Sequence, residues 1–328
     1  MLLTKPYKED DTVIDILGFA IGQRLRNIVK ATEDPVLSNA ITTLPATLPT
    51  AVSTMGVAKV GSKIYLFGGN SASDASRYIQ RFDTETETAS RLSVRLPAAT
   101  IAPTAAAVGN KVYLFGGRGT STNSAFTTIY AFDAETETIS TLSTELPKKA
   151  HSIAAVTVGT KIYLFGGRSD YSSSGALDTI NVFDTETETI SALSTKLAAS
   201  LSDMASAIVG TKIYLFGGTG NDGTWNSINI FDIKKETITG LTTTLPIYSH
   251  AIAAAAIGTK VYLFGGVDYS NNRLKTINVF DTKTEVLTTL PTTLPAALNG
   301  IAAIASDRKV YLLGGRNSAF FNTINVFY

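Results

Sequence analysis

Short apolar runs alternate with polar turns along most of this chain. One run, K-I-Y-L-F-G-G or a close variant of it, occurs six times. The copies begin at Lys63, Lys111, Lys161, Lys212, Lys260 and Lys309. In a strand, the Ile and Leu of this run point to one side and the Tyr and Phe to the other, so both faces are apolar. Such a run predicts a strand packed between two layers.

Three further segments accompany each copy and complete a repeat of 48 to 51 residues. An Ala-rich segment such as IAAAAIG at 252 precedes the copy, and it is joined to the copy by a two-residue turn that usually begins with Gly. A segment such as TINVFD at 179 follows, and then a Thr/Ser-rich one such as TISTLSTELP at 138. Each repeat therefore predicts four strands, named a to d here, with the Ala-rich strand a innermost in a radial array.

This pattern resembles the kelch repeat, whose mark is a double glycine that closes a hydrophobic strand. All six copies keep the two glycines, beginning at Gly68, Gly116, Gly166, Gly217, Gly265 and Gly314. The family's aromatic residue before the c–d turn is matched by Phe82, Phe132, Phe183, Phe231, Phe280 and Phe327. The family's later tryptophan is replaced by Ala89, Ile139, Ile190, Ile238 and Leu287. The resemblance implies an all-β, six-bladed β-propeller of four-stranded antiparallel blades over residues 39–328.

The two ends of the repeat region are expected to meet. The last repeat stops after its third strand at Tyr328, and the segment ITTLPATLP at 41 is similar to LTTLPTTLP at 287. We therefore expect residues 39–45 to supply the outer strand of the last blade and to close the ring.

Residues 1–38 lie outside the repeat and predict a helical extension that docks or anchors the protein. An apolar stripe at helical spacing runs through Val13, Leu17, Ile21, Leu25 and Ile28. Gly18 and Gly22 lie on one face and allow another backbone to approach closely, but they weaken an isolated helix by about 1 kcal/mol each. The helix therefore needs a partner surface, either the propeller itself or a protein subunit of a larger assembly.

The loops after each double glycine are where the copies diverge, and the surface that carries the b–c and d–a connections is called the loop face. In kelch propellers that bind peptides, these loops form the ligand surface. The resemblance therefore implies contacts with a protein or glycan at Arg118, Arg168, Asp170, Tyr171, Asp268, Tyr269, Arg273 and Arg316, and at Lys148, Lys149 and Tyr248 of the d–a loops. The opposite surface, the turn face, carries rings of Lys and Glu that are expected to neutralise each other.

The two histidines, His151 and His250, occupy equivalent places at the start of two inner strands. The kelch pattern often has His there, which implies a structural role. A histidine at the mouth of a propeller is also able to act as a base, so both positions are worth substituting.

Composition narrows the chemistry. The 28 basic and 27 acidic side chains leave a net charge of +1, which does not favour a nucleic acid partner. Because the chain has no cysteine, it has no disulfide, thiolate metal site or thiol nucleophile, and the chemistry of the copper oxidase with a kelch propeller is excluded. The sequence carries no recognisable catalytic or zinc motif. We expect no metal, no cofactor and no enzymatic activity.

No apolar run is long enough to insert into a membrane, and the charged N-terminus does not read as a secretion signal. We expect a protein that is not secreted by a signal peptide and that resides in a virion or the cytoplasm. The function expected from the sequence is a non-enzymatic binding module, with a bacteriophage decoration or receptor-binding protein as the specific form. The alternatives are an intracellular kelch scaffold and, less favoured, a kelch-type sugar isomerase or epimerase.

Overall fold

The structure is a computed structural model that describes residues 37–120, 125–170, 172 and 174–328. In this part of the chain every regular element is a β-strand. The helix expected over 13–30 lies outside the described residues, as do all seven positions of its apolar and glycine faces. No helix that could cross a bilayer occurs in the part that is described.

The strands follow the four-segment pattern of the repeat. In chain order, the first fifteen are β1 (Ile41–Thr47), β2 (Gly56–Val60), β3 (Lys63–Phe67), β4 (Asn70–Ser71), β5 (Asp74–Ala75), β6 (Tyr78–Asp83), β7 (Thr88–Arg95), β8 (Thr104–Val108), β9 (Lys111–Phe115), β10 (Thr128–Asp133), β11 (Thr138–Glu145), β12 (Ala154–Val158), β13 (Lys161–Phe165), β14 (Thr179–Asp184) and β15 (Thr189–Lys196). The others are β16 (Leu201–Ser202), β17 (Ala205–Val209), β18 (Lys212–Phe216), β19 (Thr219–Gly220), β20 (Gly223–Thr224), β21 (Ser227–Asp232), β22 (Thr237–Thr244), β23 (Ser249–His250), β24 (Ala253–Ile257), β25 (Lys260–Phe264), β26 (Val267–Asp268), β27 (Thr276–Asp281), β28 (Val286–Thr293), β29 (Ala302–Ser306), β30 (Lys309–Leu313) and β31 (Thr323–Phe327).

The longer strands form six four-stranded antiparallel sheets within the described residues. Their orders are β2-β3-β6-β7, β8-β9-β10-β11, β12-β13-β14-β15, β17-β18-β21-β22, β24-β25-β27-β28 and β29-β30-β31-β1, called sheets 1 to 6. The Ala-rich strand a of each sheet contacts strand a of the next sheet, and β29 of sheet 6 contacts β2 of sheet 1. Small side chains are required here because the inner strands crowd around a central channel.

The outer strand of sheet 6 comes from the N-terminal side of the chain. Strand β1 pairs antiparallel with β31, with Ile41 opposite Phe327 and Thr43 opposite Asn325. The Thr43 hydroxyl lies 2.6 Å from Asn325 Oδ1. The strand covers residues 41–47, two residues later along the chain than the predicted 39–45.

The core lies between consecutive sheets, in six apolar clusters. The aromatic residue that precedes each c–d turn packs on strand b of the preceding sheet. Phe231 of sheet 4, for example, lies 5.7 Å from Tyr163 and 5.4 Å from Phe165 of sheet 3, measured between ring centroids. Phe82 of sheet 1 packs in the same way on Tyr311 of sheet 6, at 5.5 Å. The apolar faces of the K-I-Y-L-F-G-G strands are buried as predicted.

Hydrogen bonds also link the outer strands to the next sheet. In three sheets a threonine near the end of strand d donates to the carbonyl oxygen of the last glutamate in the following c–d turn. Thr243 Oγ1 lies 2.8 Å from the Glu285 carbonyl oxygen, and Glu285 has a left-handed φ of +56°. The equivalent pairs are Thr144 with Glu188 and Thr195 with Glu236.

Substitution of Thr243 by Val is expected to lower the free energy of unfolding by about 1 kcal/mol, because the Glu285 carbonyl loses its donor. Thr242→Val is the matched control, since Thr242 is the adjacent, exposed residue of the same strand. The control is expected to change the free energy by less than about 0.5 kcal/mol. Urea unfolding measures both values, and equal losses would show that the hydrogen bond contributes nothing.

Candidate functional site

The position that follows each double glycine lies at the channel, paired with a residue of the d–a loop that leads into the same sheet. Each pairing is antiparallel and has its own residue types. The six pairs are Ser53 with Asn70, Ile101 with Arg118, His151 with Arg168, Ser202 with Thr219, His250 with Val267 and Asn299 with Arg316. Ten of these twelve residues, all except Ser202 and Val267, line one cavity at the end of the channel.

Each double glycine holds the d–a loop of the next sheet close to its own strand b. Gly166 has a φ of +59°, and a Cβ on it would lie 2.1 Å from the Leu201 carbonyl oxygen in the d–a loop that leads to sheet 4. The next residue, Gly167, donates its N–H to the same oxygen at 2.9 Å. The equivalent contacts recur at the other five double glycines. Glycine is required here because the neighbouring backbone occupies the space of a side chain.

A chain of backbone hydrogen bonds runs around the channel just below the paired residues. It joins residues with left-handed φ between +50° and +61° at the start of each inner segment, namely Thr54, Ala102, Ser152, Asp203, Ala251 and Gly300. In five of the six neighbouring pairs the N–H of one residue donates to the carbonyl of the residue in the preceding sheet, as between Ala102 and Thr54 at 2.9 Å or between Asp203 and Ser152 at 3.1 Å. The Thr54 N–H donates to the Gly300 carbonyl at 2.9 Å. This belt fixes the rim of the channel.

Above the belt lies a cavity of about 350 Å³, which we call the channel-mouth site. The charged and titratable side chains that line it are Arg118, Arg168, Arg316, His151, His250 and Asp203. The channel beneath it, about 340 Å³, is lined mainly by small and apolar residues of the inner strands. The arginine and histidine side chains are therefore concentrated at the loop-face end.

Three of the eleven predicted loop-face residues meet in this cavity. Arg118, Arg168 and Arg316 line it from sheets 2, 3 and 6. Arg168 is fixed by neighbours, because its Nη1 donates to the Ser172 carbonyl at 3.1 Å and its Nη2 to the Gly220 carbonyl at 3.2 Å. The Arg316 guanidinium lies 5.8 Å from the centre of the Phe320 ring.

Two predicted acidic residues instead organise their own loops. Asp170 accepts hydrogen bonds from the backbone and hydroxyl of Ser172, and these hold the pKa of Asp170 below its usual range. Asp268 accepts hydrogen bonds from the side chain and backbone of Asn272, which lower the pKa of Asp268 in the same way. Neither carboxylate lines the channel-mouth site.

The other predicted loop residues lie around the cavity or outside the described part. Tyr248 and Tyr269 are exposed, and they flank the pairing of Ser249 with Asp268 that places their segments side by side. The side chains of Lys148 and Lys149 are also exposed. The Arg273 backbone pairs with Val267, and Arg273 does not line the channel-mouth site. Tyr171 lies outside the described residues.

The two histidines, for which a structural role was expected, line the cavity and face its charges. Burial lowers the pKa of His151 to about 4, with Asp203 opposing this shift and Arg118 and Arg168 adding to it. Burial also lowers the pKa of His250. Both imidazoles are therefore neutral near pH 7. Sequence reasoning also missed Asp203, Ser53 and Asn299, although the d–a loops differ between copies as clearly as the b–c loops do.

Several polar atoms at the cavity have no hydrogen-bond partner among the described residues. They are Ser53 Oγ, His250 Nδ1 and Asn299 Oδ1, and Ser53 is completely buried. Native proteins rarely leave such atoms unpaired, so they mark a place where a ligand or water completes the site. Within the described ranges, no group of three or more His, Asp or Glu side chains is arranged to hold a metal ion.

The depressed pKa of His151 predicts a loss of stability in acid. An unfolded histidine takes up a proton near pH 6.5, whereas folded His151 does so only near pH 4. Between these values the unfolded state binds more protons, so the contribution of His151 falls by at most about 1.4 kcal/mol per pH unit as the pH drops.

His151→Gln is expected to flatten the pH dependence of the unfolding free energy between pH 6.5 and 4, with little change in slope above pH 7. Chemical denaturation at several pH values measures this slope. An unchanged slope in the variant would show that His151 titrates normally in the folded protein.

Comparison with known proteins agrees with this architecture. A family model described as the KLHDC2/KLHL20/DRC7 Kelch-repeats domain matches residues 102–246 and 151–328. No curated protein matches the chain. The two matched ranges together cover more than half of the sequence and include five of the six double glycines. The chain belongs to the kelch-repeat family described by that domain.

Proposed function

We propose that this chain is a non-enzymatic protein-binding module, a six-bladed ring closed by β1, whose partner docks on the loop face over the channel-mouth site. The observation that carries the proposal is the convergence of the divergent positions. The repeats agree in their cores and differ at the six residue pairs described above, and ten of those twelve residues line one cavity. Recognition residues on a rigid scaffold are expected where copies of a repeat differ.

The ring itself is supported by cyclic contacts. The inner strands contact in order from β2 to β29 and back to β2, and Phe82 of sheet 1 packs on Tyr311 of sheet 6. The Thr54 N–H adds a backbone hydrogen bond to Gly300 across the same junction. Pairing of β1 with β31 supplies the fourth strand of sheet 6.

The rim around the cavity has the composition of a contact surface. Tyr248 and Tyr269 are 51% and 75% exposed, although tyrosine is usually more buried than this. Tyrosine and arginine are among the residue types that most often dominate binding energy in protein interfaces, and the three arginines of the cavity are half-buried. We propose that the partner covers these tyrosines and inserts a polar group into the cavity.

A photoreactive amino acid tests this proposal. It is placed at Tyr269 on the loop face and, as the control, at Lys212 on the turn face, and each protein is irradiated in an extract of the source organism. We expect a conjugate of defined mass from position 269 that is lost on Arg168→Gln, and no such conjugate from position 212. A conjugate formed from position 212 alone would place the partner on the other face.

We also propose that residues 1–38 dock the propeller onto a larger assembly, as the apolar stripe in the sequence indicates. Removal of residues 1–30 is expected to release the protein from that assembly and leave the propeller folded. The expectation that the assembly is a bacteriophage virion rests on the sequence alone, and the presence of the chain in purified particles tests it. Retention of the truncated protein in the assembly would contradict the docking role.

A second candidate, a kelch-type sugar isomerase, is favoured by one observation. His151, His250 and Asp203 line the same cavity as the arginines. A histidine that could act as a base therefore lies near arginines that could bind the carboxylate of a sugar acid. NMR measurement of the anomeric exchange rate of N-acetylneuraminic acid tests this reading. Acceleration that disappears in both His151→Ala and His250→Ala would support the isomerase, and an unchanged exchange rate would exclude it for this sugar.

A further inference from the structure

We propose that the channel-mouth site binds a phosphoryl group carried by the partner protein. The inference rests on the proposed function, since it names the group that the partner inserts into the cavity. Four observations support it: the charge of the lining, the fixed arginine, the buried hydroxyl without a partner, and the size of the cavity.

The charge of the lining fits a dianion. Among the residues that line the cavity, Arg118, Arg168 and Arg316 are cationic, Asp203 is the one carboxylate, and the two histidines are neutral near pH 7. Asp170 and Asp268 act on the histidines from outside the lining. The lining therefore carries two positive charges. A phosphorylated side chain carries about −1.5 to −2 at pH 7, whereas a carboxylate carries about −1. A phosphoryl group neutralises this lining, and a single carboxylate leaves it cationic.

The geometry of Arg168 fits an oxyanion. Its Nη1 donates to the Ser172 carbonyl oxygen in its own b–c loop, at 3.1 Å, and its Nη2 donates to the Gly220 carbonyl oxygen in the b–c loop of sheet 4, at 3.2 Å. Because these contacts already fix the side chain, little rotamer entropy is lost when an anion binds. A guanidinium presents its donors in a planar fork that matches two oxygens of a phosphate.

The buried hydroxyl of Ser53 supplies a second kind of contact. Ser53 is fully buried and is one of the residues that line the cavity, and its Oγ has no hydrogen-bond partner among the described residues. A hydroxyl donates readily to a phosphoryl oxygen, and a phosphoryl group offers three such acceptors. His250 also lines this cavity, and its buried Nδ1 has no hydrogen-bond partner among the described residues. The neutral imidazole donates to a bound anion from Nδ1 when that nitrogen carries the proton.

The size of the cavity and the lining of the channel beneath it favour a phosphoryl group bound at the channel mouth. Its volume of about 350 Å³ is near the lower end for ligand pockets, which suits one side chain with its phosphoryl group rather than a large ligand. The channel beneath is lined by residues such as Ala105, Ala155, Ala254 and Ile304. The channel lining contains no cationic side chain, so an anion is better compensated for lost water among the arginines.

Two synthetic peptide pools test the inference. Both have degenerate flanking residues, one with phosphoserine and the other with glutamate at the centre, and fluorescence anisotropy measures their affinity for the full chain. The phosphoserine pool is expected to bind at least about tenfold more tightly than the glutamate pool. Arg168→Gln, Arg316→Gln and Ser53→Ala are expected to remove most of this preference, whereas Lys212→Gln on the turn face keeps it. Circular dichroism and the unfolding midpoint confirm that each variant folds.

Three results would overturn the inference. They are equal affinity for the two pools, no measurable binding of either pool, and a phosphoserine preference that survives both arginine substitutions. Phosphatase treatment of the extract in the photoreactive experiment tests the phosphoryl inference separately from the proposed protein-binding function. If the loop-face conjugate persists after phosphatase treatment, the protein-binding function is supported and the phosphoryl inference is contradicted. If no loop-face conjugate forms even before treatment, the proposed protein-binding function is itself contradicted.

Discussion

Deletion of residues 1–48 is expected to abolish the cooperative unfolding transition of this protein. The deletion removes β1, which pairs with β31, and it also removes Leu37 and Leu48, which are buried in the clusters on the two sides of sheet 6. Sheet 6 is left with three strands and an exposed edge at β31. In a ring of sheets each member is stabilised by its two neighbours, so damage at one sheet is transmitted to both.

Deletion of residues 1–30 is the control, because it retains every residue that the structure describes. Thermal unfolding followed by circular dichroism and calorimetry compares the two truncations with the full chain. The shorter deletion is expected to keep a single sharp transition, and the longer one to give a broad or absent transition. An unchanged melting curve after removal of residues 1–48 would show that β1 does not close the ring.

Substitution of Gly166 by Ala is expected to lower the free energy of unfolding by about 2 to 5 kcal/mol. The loss has two causes, because alanine is strained at a left-handed φ and its Cβ overpacks the neighbouring backbone. Gly166 has a φ of +59°, and its added Cβ would lie 2.1 Å from the Leu201 carbonyl oxygen. That oxygen belongs to backbone and already accepts the Gly167 N–H, so it has little freedom to move. The substitution therefore breaks the link between sheet 3 and the loop that leads into sheet 4.

Gly159→Ala separates the two contributions. Gly159 lies in the same sheet and also has a φ of +59°, but nothing lies within 4 Å of its added Cβ. This variant is expected to lose only the left-handed term of about 1 to 2 kcal/mol. Denaturant unfolding compares both variants with the wild type, and equal losses would show that the close approach of the Leu201 loop costs nothing.

Much of the architecture was predictable because the same local pattern is written six times. Strand β13, for example, has apolar residues on both faces, and such a strand is stable only between two layers. The pairing of β13 with the preceding strand β12 was predictable from the turn between them, since a glycine such as Gly159 suits the first position of a two-residue hairpin turn. The limits of β1 were less accurate, because its register is set by hydrogen bonds to the distant β31 and not by its own residues.

The site was predicted only in part. Divergence after the double glycine identified Arg118, Arg168 and Arg316, which meet in the cavity. His151 and His250 were given a structural role and Asp203 was missed, because all three lie on other loops, which the double glycines bring alongside through contacts between sheets. No local pattern encodes that proximity. Asp170 and Asp268 were predicted as contacts, although each precedes Ser or Asn by a few residues, the spacing at which an aspartate caps its own turn.

The most direct test of the account is the affinity of the partner protein, identified by cross-linking at position 269, for two double variants. Arg118→Gln with Arg168→Gln removes two charges from the channel-mouth site, and Lys161→Gln with Lys212→Gln removes two from the turn face. Recognition at the channel mouth predicts that the arginine variant loses at least about tenfold in affinity, while the lysine variant stays within about twofold of the wild type. The opposite order, with the lysine variant weakened and the arginine variant unchanged, would contradict it.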